Sequence, residues 1–161
     1  WTHRDSLDER HTLLDSRFDE RAPSISPDDR WLAYVNIETG REEVYVRPFP
    51  NTGDARWQVS TAGGSSPQWS HTGRELFFVD AAERMTTVAI AAGAEFRAGE
   101  PRVLFTLDRA VLAPYHQNFA VSPDDGSFLF LQDPSTADGS SRFATLTLNA
   151  LAALGDGRAT R

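Results

Sequence analysis

P-S-I-S-P-D-D-R-W-L-A-Y-V, residues Pro23–Val35, reads as a short strand, a tight polar turn and a second, mostly apolar strand. The pattern returns as P-Q-W-S-H-T-G-R-E-L-F-F-V at Pro67–Val79 and as F-A-V-S-P-D-D-G-S-F-L-F-L at Phe119–Leu131. Each copy sets an apolar residue and a serine before the turn: Ile25-Ser26, Trp69-Ser70 and Val121-Ser122. The serines stand 44 and 52 residues apart. A period of about 40–50 residues with strand-turn-strand content marks a repeating β-array.

Working outward, each repeat extends into a unit of about four short strands, the content of a propeller blade. In the first unit the strands are expected at Pro23–Ser26, Trp31–Asn36, Glu43–Arg47 and Trp57–Ser60. Pro27 presets φ at the turn, the Asp28 and Asp29 side chains can cap the backbone locally, and Gly40 supplies a positive φ in the next hairpin. The second unit is expected to have strands at Ser66–Trp69, Glu75–Val79, Met85–Ala91 and Arg102–Phe105. The third has Phe119–Ser122, Phe128–Gln132 and Ala144–Leu148, with a long small-residue loop between the last two. The chain thus divides into an N-terminal extension (1–21), blades over 22–64 and 65–117, a partial blade over 118–149, and a tail over 150–161. Thr12, Leu13 and Leu14 read as the last strand of a preceding blade, and Asn149–Leu154 as a short terminal helix or turn.

Composition narrows the function. The net charge of −7 argues against a nucleic-acid partner, which needs a concentrated positive face. All sixteen basic residues are Arg, read as base composition before mechanism. There is no Cys, hence no disulfide framework and no thiolate chemistry. No apolar run approaches a membrane span, and no signal peptide is visible. The chain opens on Trp1, which points to a processed product or part of something longer.

The residues that could carry chemistry mostly have a plainer reading. His3, His11, His71 and His116 lack metal-ligand spacing. Asp28-Asp29 and Asp124-Asp125 resemble paired carboxylates, but both pairs fill the same turn of the repeat, where Asp serves the backbone. Asp133 to Asp138-Gly139 lacks the alternating oxygen ligands of a calcium loop. Gly63-Gly64 suits a blade-to-blade linker better than a phosphate loop, and no G-x-S-x-G elbow exists. The expectation is therefore a chain with no catalytic residues, metal or cofactor. Trp31, Tyr34, Phe77, Phe78, Phe128 and Phe130 lie on repeat strands and are assigned to the core. Phe49, Trp57 and Tyr115, near loops, are the aromatics expected at an interface, with Arg41, Arg47, Arg56 and Arg74 placed to pair with acidic partner groups.

Three stretches carry a resemblance. E-V-Y-V-R-P-F-P (Glu43–Pro50), W-Q-V-S-T-A-G-G (Trp57–Gly64) and S-P-Q-W-S-H-T-G-R-E-L-F-F-V (Ser66–Val79) resemble TolB-type, WD-like propeller repeats. They are similar in particular to the propeller at the C-terminus of bacterial serine/threonine protein kinases. The resemblance covers about residues 12–150 and implies a non-catalytic β-propeller for protein contact, usually outside the cytoplasm. No kinase motif is present, so it implies no kinase activity. The departure is numerical: propellers carry about four to eight blades, and this chain has about three. The fold expected is all-β, a partial propeller whose sheet edges must be covered by the remaining blades of a longer chain, by oligomerisation or by protein subunits of a larger assembly. The leading functional expectation is a protein-interaction or scaffolding module, an accessory subunit of a larger, membrane-associated assembly. The alternatives are a ligand- or signal-sensing propeller domain of a receptor kinase, and a propeller attached to a hydrolase domain.

Overall fold

The computed structural model describes residues 2, 5, 8–91, 93, 95–107, 112, 117–131 and 144–148. Eleven strands within them form three antiparallel sheets. The first is β1 (Glu20–Ile25), β2 (Trp31–Asn36), β3 (Glu43–Pro48) and β4 (Trp57–Gln58), in that order. The second, equally sequential, is β5 (Gly64–Trp69), β6 (Glu75–Asp80), β7 (Arg84–Ala89) and β8 (Arg102–Thr106). The third holds β9 (Phe119–Val121), β10 (Ser127–Leu131) and β11 (Ala144–Leu148), with β10 central. Among the described residues no helix is long and apolar enough to cross a membrane. The proposed C-terminal helix or tail and the long loop before β11 lie outside the described residues.

The repeat serine explains why the turn recurs. Ser26, Ser70 and Ser122 each bond through the main chain across the turn: Ser26 N–H to the Trp31 carbonyl, Ser70 N–H to Glu75, Ser122 N–H to Ser127, all at 2.9 Å. Their hydroxyls accept the returning amides: Trp31 at 3.0 Å, Glu75 at 3.1 Å and Ser127 at 2.9 Å. The fourth turn residue is left-handed each time, at Asp29 (φ 57°), Gly73 (φ 68°) and Asp125 (φ 57°). Asp and Gly tolerate that conformation best, which is why the turn reads P-D-D or H-T-G.

β1 and β5 begin earlier than the sequence suggests, at Glu20 and Gly64. In both, the pairing register shifts just before the repeat proline's partner segment, between Arg21 and Ser24 and between Ser65 and Gln68. Ala22 (φ 51°) and Ser66 (φ 52°) carry the bulge. A proline has no N–H for the ladder, and a bulge lets Pro23 and Pro67 sit inside an inner strand. The linker expectation holds at Gly63, whose positive φ of 92° and tight approach to Ala81 exclude a side chain: a Cβ there would lie 2.6 Å from Ala81 Cβ.

Strand alternation then assigns each apolar side chain to a neighbour. Counted from the repeat serine, positions seven and nine face the following blade, and positions six and eight the preceding one. Ala33 and Val35 therefore meet Leu76 and Phe78 in one core, and Phe77 and Val79 meet Phe128 and Phe130 in another. The second core is ring-rich, with Phe77 and Phe128 edge-to-face at 4.9 Å.

One expectation is corrected. Thr12, Leu13 and Leu14 form no strand. Leu13 and Leu14 instead pack, partly buried, over Leu32, Tyr34 and Tyr45, the backward face of blade 1. Two leucines in a polar segment can cover an apolar face without backbone pairing, so apolar clustering alone did not distinguish a plug from a strand.

Replacing Ser70 with Ala leaves the Arg74 and Glu75 amides, both bonded to its hydroxyl at 3.1 Å, without that acceptor in a fully buried site. Urea unfolding of Ser70→Ala is expected to show a loss of about 1–3 kcal/mol. A change within about 0.5 kcal/mol, the range of an ordinary surface substitution, would mean the hydroxyl is dispensable.

Candidate interaction surface

Two kinds of surface emerge, a blade face and a groove between blades. Leu129 and Leu131, positions seven and nine of the third repeat, are 41% and 58% exposed. Their counterparts Phe77 and Val79 are buried against a following blade. The chain thus presents a forward blade face of the kind it twice buries internally.

The groove forms where blade 1 meets the segment after β7. Trp31 and Trp57 stand edge-to-face at 5.6 Å, and Phe96 completes the cluster at 5.3 Å from Trp31 and 5.0 Å from Trp57. With Phe49, Pro48, Arg30 and Glu95 they line a cavity of about 360 Å³. Phe96 is buried, and its position 39 residues beyond Trp57 made it invisible to a local reading. The structure thus brings the predicted interface aromatics Phe49 and Trp57 together; Tyr115 lies outside the described residues.

The four arginines do not converge. Arg41 donates from Nε to buried Glu43 at 2.5 Å and from Nη2 to the Thr61 carbonyl at 2.6 Å. Glu43, 0% exposed, also accepts the Ser60 hydroxyl at 2.5 Å and the Gly63 amide at 3.2 Å, so the cluster locks β3 to the linker. Arg47 donates to the Tyr34 hydroxyl at 2.8 Å and the Thr52 carbonyl at 2.6 Å, while the Thr52 hydroxyl donates to the Leu13 carbonyl. This chain holds the N-terminal plug on blade 1. Arg56 lies over the Tyr45 ring at 4.7 Å and pairs with Glu38 at 2.5 Å. Arg74 is exposed on the blade 2 turn and makes no side-chain bond or ion pair among the described residues.

The paired carboxylates divide their roles. Asp28 and Asp124 do serve the turn, accepting the Ser26 hydroxyl at 2.6 Å and the Ser122 hydroxyl at 2.5 Å. Asp125 does not. Its Oδ1 accepts the His71 amide at 2.7 Å and lies 2.9 Å from His71 Nδ1, and its Oδ2 accepts the Thr72 amide at 3.3 Å. It joins the turns of blades 2 and 3, a contact 54 residues apart in sequence that turn chemistry could not reveal. Gln68 adds a donor to the Phe119 carbonyl, and Asn118 one to Ser66 at 2.8 Å. Among the described residues no group of three or more His, Asp or Glu is placed to hold a metal.

Solved structures of low identity share this architecture. Oligogalacturonate lyase from Vibrio parahaemolyticus is similar with TM-score 0.57 and 14% identity over 78% of this chain and 34% of that one. The acylaminoacyl peptidase of Pyrococcus horikoshii gives 0.52 and 12%, over 78% and 19%. Both are β-propeller folds. The fold is a partial β-propeller. TolB from Acinetobacter baumannii is similar at a lower TM-score of 0.43, with 15% identity over 91% of this chain and 45% of that one, and the fold assignment rests on the other two. The chain spans less than half of each of these proteins. No family model and no curated protein matches it.

Burial alone would raise the Asp125 carboxyl, but the His71 amide and imidazole and the Thr72 amide outweigh it and hold it below its ordinary value. A depressed carboxylate stabilises the fold above its unfolded value of about 3.9, and that contribution is lost as pH falls through the lower folded value. The stability gap between the native chain and Asp125→Asn should therefore be full at pH 6 and close as acid protonates Asp125. A gap independent of pH would refute this coupling.

Proposed function

We propose that this chain is a non-catalytic interaction module, a structural subunit that offers its open blade face to a partner sheet, either another protein or further blades of a longer polypeptide. The carrying observation is the exposure of Leu129 and Leu131 at register positions that the other two repeats bury. Burying two leucines contributes about 1.5–3 kcal/mol each, and a propeller of this construction reaches about four to eight blades before its edges are hidden. The resemblance of its repeats to extracytoplasmic propellers supports a place on the periplasmic side, beside a membrane assembly.

A second reading has an observation in its favour. The aromatic groove between blades is suited to a ligand, which favours a ligand- or signal-sensing propeller domain of a bacterial receptor kinase, although such a domain is expected to bind in its central channel.

A photo-cross-linking residue at position 129 in the source cell distinguishes docking from bare exposure. Cross-links from 129 should concentrate on one protein or one further blade, whereas the same group at Thr39, on an exposed hairpin, should scatter. Equal scatter from both sites would remove the basis for a docking face.

A further inference from the structure

The groove extends beyond its aromatic cavity. A second cleft of about 280 Å³ adjoins it and shares Arg30 and Trp31 as a common wall, with Arg74 on its far side. Arg30 and Arg74 occupy the same position of successive repeats, four residues after the serine. Repetition therefore places two guanidiniums along one cleft.

We propose that cavity and cleft form one binding site for an apolar carboxylate, with a flat ring or similar compact body against the Trp31–Trp57–Phe96 cluster and an acidic group between Arg30 and Arg74. A cation is disfavoured, because the Arg30 guanidinium already lies 5.1 Å from the Trp31 ring centroid, on the face a cation would use. Arg30 is pinned there by its bond to the Gly93 carbonyl at 2.8 Å, so its position is set before a ligand arrives. Arg74 has its donors available. Asp28, on the same cleft wall, accepts the Ser26 hydroxyl at 2.6 Å and lies 3.9 Å from Arg30 Nη1, and Glu95 pairs with Arg97 at 3.0 Å, so Arg74 is the guanidinium of the cleft that no ion pair engages among the described residues. The cavity volume suits a ring system rather than a long chain. The acid could be a free aryl acid or the adjacent aromatic and acidic side chains of a peptide.

The test uses ligand-observed NMR and tryptophan fluorescence on the whole chain, with phenylacetate, its neutral analogue benzyl alcohol, and acetyl-Phe-Glu-amide. Phenylacetate should bind saturably and about fivefold more tightly than benzyl alcohol, the upper end of what one half-exposed ion pair supplies. Arg74→Glu, an exposed change that leaves the fold intact, should abolish that preference, while Arg102→Glu, exposed on β8, should not. Tighter binding of the peptide than of phenylacetate would assign the acid to a protein segment, and the reverse to a free acid; both uphold the site. Equal affinity for acid and alcohol, no effect of Arg74→Glu, or non-saturating binding would overturn it.

Discussion

Each blade depends on one serine hydroxyl. The repeat serine closes its turn through its own main chain and then accepts the amides of the chain coming back, which fixes where the second strand starts. Because side chains alternate along a strand, fixing that start decides which apolar residues face forward and which backward. Two interblade cores follow from this one constraint. The same serine count places Arg30 and Arg74 on one cleft, so the groove's charge is also a product of the repeat.

The two ends of the stack are treated differently. The backward face of blade 1 is covered by Leu13 and Leu14, held through a chain of bonds from Tyr34 through Arg47 and Thr52 to the Leu13 carbonyl. The forward face of blade 3 leaves Leu129 and Leu131 in solvent. An alternating strand with apolar residues on both faces belongs between two layers, and β10 is such a strand. The two faces therefore differ: Leu13 and Leu14 lie over one, and the other exposes Leu129 and Leu131.

What the sequence made legible was local. The turns, most strand positions and the left-handed Gly40 follow from patterns within a dozen residues. The early starts of β1 and β5 were hidden because a bulge lets a strand run through a proline that otherwise reads as its beginning. Leu13 and Leu14 were misread because a plug and a strand share the same apolar signature. Asp125 shares its turn position with Asp29 and so reads as turn chemistry, while its own partner, His71, stands a full blade away. Phe49 and Trp57 could be picked out as loop aromatics, but the site they help build needs Phe96, which only the packing of blade 2 on blade 1 brings near.

The central claim is that a blade face presented by Leu129 and Leu131 is covered in the working particle. Its most direct test is the native mass of that particle isolated from its source, with every associated chain identified. A defined larger assembly, or a longer polypeptide carrying further blades, is the predicted result. A stable, well-folded monomer of this chain with no partner would contradict it.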